Sequence, residues 1–169
     1  MSSYCVFNVG DRRVGIPMTS VREILEKEFI VPTLIPLAPE FVHGLFNLRG
    51  QVLPFLDLSG FVGSSARNIS IPSTADRAVI VERGDFRFAT LGQRIDTVEA
   101  GEETLQPLDG AALHPALDSE AQTERGSFHV IHLDRLEACL KQALKFAEAS
   151  EPSRSATTTT TETNTTSQS

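Results

Sequence analysis

Short apolar runs, broken at close intervals by glycine turns, constrain this chain more than any other feature of its sequence. Tyr4 to Val9 alternates, with Cys5, Phe7 and Val9 on one face, and Gly10-Asp11 then offers a turn before Val14-Gly15-Ile16. Ala78 to Glu82 and Phe86 to Ala89 flank Arg83-Gly84-Asp85, which reads as a hairpin turn and not as an adhesion signal. Gln51 to Leu58 is a further β-like run, in which Pro54 argues for an edge or a bulge. Ser127 to Leu133 is another. Two helices interrupt the pattern. Ser20-Val21-Arg22-Glu23 has the form of a capping box, with Val21, Ile24 and Leu25 on one face of a short helix. Near the other end Asp134 is placed to cap a longer helix, with Leu136, Leu140 and Leu144 as its apolar stripe. Ser/Gly/Pro-rich loops are expected over 63–76 and 99–126. Many short strands with peripheral helices predict an all-β domain with minor helices, built as a small barrel or a pair of barrels.

The body, residues 1–149, is long enough to bury a core of its own. From Ser150 to Ser169 the chain holds no Leu, Ile, Val or aromatic residue, so nothing offsets the entropy of ordering, and a disordered Ser/Thr-rich tail is expected. With 15 Lys and Arg against 22 Asp and Glu, the net charge of −7 disfavours phosphate backbones and anionic lipid. No apolar run approaches the ~18 residues of a membrane span. The first residues lack the basic and apolar regions of a signal peptide, and two cysteines, Cys5 and Cys139, make no disulfide framework. A cytoplasmic, reduced protein is the expectation.

Reactive groups at workable spacing are missing from the sequence. It contains no G-x-x-x-x-G-K-[ST] phosphate loop, no C-x-x-C and no H-E-x-x-H. His129 and His132 lie three apart on an expected strand, so they face opposite sides and do not share a metal easily. Neither a catalytic residue, nor a metal site, nor a cofactor is expected. The pattern favours a binding module over an enzyme.

The informative segment is Phe41 to Leu58, FVHGLFNLRGQVLPFLDL: a strand, a turn carrying one cation among apolar neighbours, and a second strand. Gly44 and Gly50 permit tight backbone, and Asn47 tolerates turn geometry. Arg49, alone in so apolar a stretch, needs a carboxylate or carbonyl partner, or else projects into an interface. This segment resembles the signature of the CheW family of bacterial chemosensory adaptors, matching it at Gly44, Asn47, Leu48, Arg49, Gly50, Pro54, Asp57 and Leu58. Val14-Gly15-Ile16-Pro17 followed by Val21-Arg22-Glu23-Ile24-Leu25 is similar to the family's first hairpin and V-x-E-I segment. Val130 to Leu136 is similar to its closing strand and helix start. The likeness covers roughly residues 4–145.

The resemblance implies two interleaved five-stranded SH3-like barrels packed about a shared apolar core. It implies a non-catalytic adaptor that couples chemoreceptor cytoplasmic tips to the regulatory domain of a CheA-type histidine kinase. On that reading Arg49, Asn47, Glu23, Phe46, Ile24 and Val42 form the partner-binding set, with Phe46, Ile24 and Val42 lining an apolar docking groove; the alternative for these three, more usual for single hydrophobes, is a place in the core. Gly44, Gly50, Pro54 and Asp57 are the structural residues of the motif. For Arg49 a pairing with Glu23 is the alternative, and the two roles are compatible. The chain departs from the family pattern at Gln93 and Arg94, which are polar where apolar residues are usual. That departure motivates a second reading, an interaction protein of a non-flagellar chemosensory pathway or a degenerate competitor binding one partner only. A third is a small β-barrel enzyme or ligand-binding protein whose pocket residues lie scattered in sequence.

Overall fold

The computed structural model describes residues 1–26, 32–64, 76–108 and 114–150. The expected tail, 150–169, lies outside them except for Ser150, which ends the C-terminal helix, and so does most of the 63–76 loop. Among the described residues ten strands are joined in one antiparallel-rich sheet that curls into two barrels sharing a single long strand, β7 (Phe86–Ala100). Strands β3 (Val21–Glu26), β4 (Val42–Leu48), β5 (Gln51–Leu56) and β6 (Asp76–Arg83) join its first half to make barrel 1. Strands β1 (Ser2–Val9), β2 (Arg12–Pro17), β9 (Leu117–Thr123) and β10 (Gly126–Ile131) join its second half to make barrel 2, with the short β8 (Leu105–Pro107) on the rim. Barrel 1 is thus inserted between the chain segments that build barrel 2. Among the described residues no helix is long and apolar enough to cross a membrane.

Three apolar clusters follow from this layout. Barrel 1 is filled by Leu25, Phe46, Leu48, Leu53, Phe55, Ala78, Ile80, Ala89 and Leu91, so all five strands contribute. Barrel 2 holds Tyr4, Val6, Val98, Ala100, Leu105, Ala121, Phe128 and Val130. The third cluster lies between them and includes Phe7, Val9, Val14, Ile16, Leu58, Val79, Val81, Phe88 and Ile131. Strands alternate faces, so β1 sends Tyr4 and Val6 into barrel 2 and Cys5, Phe7 and Val9 into the shared core. A strand buried on both faces is the mark of this fused architecture. Burial raises the Cys5 thiol to about 11, which keeps it protonated and unreactive at neutral pH.

Gly15 shows how tightly barrel 2 is filled. A Cβ at that position would lie 2.6 Å from two ring carbons of Phe128. Gly15→Val is therefore expected to lower stability by about 1–3 kcal/mol, read as a reduced urea midpoint, since the extra carbons force Phe128 off its packing.

Four sequence expectations need correction. Val21–Glu26 is strand β3, not a helix; a 3-10 turn over Met18–Ser20 precedes it. Pairing with β6 supplies a hydrogen-bond ladder that an isolated capping signal cannot match, and burial along β3 alternates with period two. The C-terminal helix, α2, begins at Leu133 and runs to Ser150; His132 Nδ1 accepts the Arg135 amide at 3.4 Å, so His132 and not Asp134 stands at its cap. Asp134 instead meets Arg83 at 2.9 Å. Leu136 and Leu140 are buried in the shared core, but Leu144 is 43% exposed because the stripe runs past the end of the barrels. The region 99–126 is not one loop. It contains β8 and β9, whose inward residues Leu117, Ser119 and Ala121 are too mixed to read as an apolar alternation.

The departure at Gln93 and Arg94 has a structural meaning. Gln93 is the last residue of β7 paired with β6, opposite Asp76, and the first paired with β1, opposite Asn8. Arg94 follows with φ of +50°. The polar pair marks the kink at which the shared strand passes from one barrel to the other.

Candidate partner-binding site

The site grows from the turn between β4 and β5. Leu48 and Gln51 are paired, leaving Arg49 and Gly50 as a two-residue loop with φ of +50° and +84°. Two successive positive φ values give the mirror-image turn that matches the twist of a hairpin. Asn47 fastens it: its Oδ1 accepts the Gly50 amide at 3.0 Å. The left-handed backbone at Arg49 directs its side chain back over the barrel toward β3. There its two terminal nitrogens donate to the two carboxylate oxygens of Glu23, each at 3.1 Å. The fork-to-fork geometry fixes the guanidinium plane, yet the Arg49 side chain remains 73% exposed while Glu23 is largely covered. The result is a cation oriented by its own chain and still presented outward.

Alternation sorts the remaining residues. Gly44, Phe46 and Leu48 point into barrel 1, and Leu45 and Asn47 point out. Phe46 is buried against Phe55, with ring centroids 6.3 Å apart. Its placement in a docking groove is corrected: it is core. Val42 is half-buried against the shared core, and Ile24 lies on the outer face of β3 with Arg22 and Glu26. The sequence reading passed over Leu45 and Val52. Both are exposed on the hairpin's outer face, Val52 to 61%, with Val52 opposite Asn47 and Leu45 opposite Pro54. The signal was available, because Leu45 and Val52 lie one step out of phase with the inward Phe46 and Leu53. The segment before β4 adds more apolar surface. Thr33 bridges to Leu45 by two backbone hydrogen bonds of 2.7 and 2.8 Å, and the neighbouring Leu34 and Leu37 are almost fully exposed.

That bridge explains Gly44. With φ of +146°, a Cβ there would fall 2.3 Å from the Thr33 carbonyl oxygen, whereas a Cβ at Gly50 would meet nothing. Gly44→Ala is expected to cost about 1–3 kcal/mol and Gly50→Ala about 1 kcal/mol, a difference that urea unfolding of the pair resolves. At the far end of the hairpin Asp57 is buried, and its Oδ1 accepts the Ser59 amide at 2.9 Å at the head of the short helix α1 (Ser59–Val62). Pro54, which lacks an amide hydrogen, precedes the point at which Phe55 and Leu56 join β7. Among the described residues no group of three His, Cys, Asp or Glu is arranged to hold a metal ion.

Comparison with known proteins agrees with this architecture. The family model described as CheW-like domain matches residues 3–138. The chain is 30% identical over 138 residues to the probable chemotaxis protein CheW of Rhizobium etli, covering 79% of each. Protein FrzA of Myxococcus xanthus is 40% identical over 63 residues, 37% of this chain and 38% of that one. Protein PilI of Pseudomonas aeruginosa is 35% identical over 115 residues, 64% and 61% of the two chains. The chain therefore spans less than two thirds of FrzA and PilI. Among solved structures the scaffolding protein TtCheW of Thermoanaerobacter tengcongensis superposes with a TM-score of 0.67 over 78% of this chain and 88% of that one, at 24% identity, which shows the shared fold. The two fused barrels, the Arg49 hairpin and a family match across most of the sequence lead to one identification: the chain belongs to the CheW-like domain family, non-catalytic scaffold proteins of chemosensory systems.

Proposed function

We propose that the chain is a cytoplasmic adaptor that couples chemoreceptor tips to the regulatory domain of a CheA-type histidine kinase, and that Arg49 is its principal contact. The observation that carries this reading is the exposed guanidinium held in place by Glu23, at the tip of a hairpin whose outer face exposes Leu45 and Val52. An arginine pre-oriented by a carboxylate loses little side-chain entropy on docking, and arginine is enriched among residues that dominate interface energetics. The exposed Leu45 and Val52 of the same hairpin supply apolar area that a contact of this kind excludes from water.

An adaptor that assembles and remodels arrays is suited by interfaces at the small end of the range, near ~1,200 Å² in total. The test is co-sedimentation of the purified protein with receptor cytoplasmic fragments and the kinase from the same organism, reading bound protein and kinase activity together. Recovery of a ternary complex with altered kinase activity supports the reading. Binding to one partner alone favours the competitor form, and binding to neither overturns the proposal.

A further inference from the structure

At the root of the β4–β5 hairpin, roughly 20 Å along the strands from the Arg49 turn, the surface opens into a cavity of about 470 Å³. That volume lies within the range of small-ligand sites. Its apolar walls are Phe41 and Phe61, packed edge to face with centroids 5.2 Å apart. Its polar lining residues are Glu40, His43, Asp57 and Ser59. One of these groups points to a ligand. Asp57 is a buried carboxylate, 8% exposed, that spends one oxygen on the Ser59 amide. Among the described residues no Lys or Arg lines the cavity.

We propose that this cavity is a binding site for a small organic ammonium ion. The Asp57 carboxylate neutralises the charge, and the Phe41 and Phe61 rings enclose the apolar body. Carboxylate and aromatic walls together discriminate a cation from a neutral molecule of the same shape, because only the cation gains the charge-assisted hydrogen bond. The inference is independent of the adaptor role, since the site lies at the other end of the hairpin from Arg49.

Benzylamine is the probe, with benzyl alcohol as its neutral counterpart, followed by NMR of the amide and His43 ring resonances of the full chain. The expected result is saturable shifts centred on His43, Asp57 and Gly60 for benzylamine, and weaker, non-saturating shifts for benzyl alcohol. Asp57→Asn keeps an oxygen for the Ser59 amide and removes only the charge, so it should weaken benzylamine binding about tenfold or more. Gly60→Leu provides a second variant, because a Cβ at Gly60 meets nothing within 4 Å and the added side chain fills the cavity mouth. It should abolish the shifts in a protein whose remaining spectrum is unchanged. Equal binding of the amine and the alcohol, no saturation by benzylamine, or full binding by either variant overturns the proposal.

Discussion

Phe7→Ala is expected to destabilise the whole molecule by about 3–5 kcal/mol, a large fraction of the ~5–15 kcal/mol that holds an ordinary domain together. Phe7 is fully buried in the cluster between the barrels, not inside either one. Its ring also lies against Gly92 of the shared strand, where an added Cβ would come within 2.8 Å of it. The cavity left by alanine is therefore bounded by residues of both barrels and cannot collapse by moving one of them. At roughly 2–4 °C per kcal/mol for a chain of this size, the melting temperature should fall by about 10 °C. Because β7 and the shared core belong to both barrels, the loss should appear as one earlier transition. Far-ultraviolet circular dichroism during heating checks both points. A cost below about 1 kcal/mol, or two resolved transitions, would show that the barrels are held together by something other than this core.

Arg49→Glu is expected to have the second large effect, and to have it on binding alone. The substitution replaces an outward cation by an anion beside Glu23, so both charges repel each other and the docking surface changes sign. Loss of a hot-spot arginine costs about 2 kcal/mol or more, which corresponds to at least ~30-fold weaker partner binding. Stability should change by no more than about 1 kcal/mol, because an ion pair with one partner so exposed contributes little to folding. Isothermal titration against the kinase regulatory domain and the receptor fragment, with a urea curve on the same sample, separates the two quantities. Weakened binding in a protein that has also lost most of its stability would assign Arg49 a structural role.

Much of this arrangement was legible in the sequence, and the exceptions share a physical cause. Strands with strongly apolar inward residues, such as Val79 and Val81 of β6, declare themselves by composition, as does the hairpin around Arg49 and Gly50. Strand β3 did not, because four residues that satisfy a local capping pattern say nothing about the β6 ladder waiting for them. Strand β9 escaped notice because barrel 2 accepts Ser119 and Ala121 where Phe128 already fills the space. The kink at Gln93 and Arg94 looked like a break in the family pattern and is the handover between barrels. At the candidate site the Glu23 partner of Arg49 and the core place of Phe46 are each one of two open sequence readings, whereas the strand phase that exposes Leu45 and Val52 goes unread. The cavity beside His43 had no signal at all, since Phe41, Asp57 and Phe61 meet only when the hairpin closes.

The most direct test of the central claim, that Arg49 is held by Glu23 so as to be offered to a partner, is a charge swap. Glu23→Arg combined with Arg49→Glu restores the ion pair but places an anion on the hairpin. Binding of this double variant to the receptor fragment and the kinase regulatory domain is the measurement. The account predicts a folded protein of near-native stability whose binding remains as weak as that of Arg49→Glu alone. Full recovery of binding in the double variant would contradict it, because the pair would then matter only for what it does within the chain.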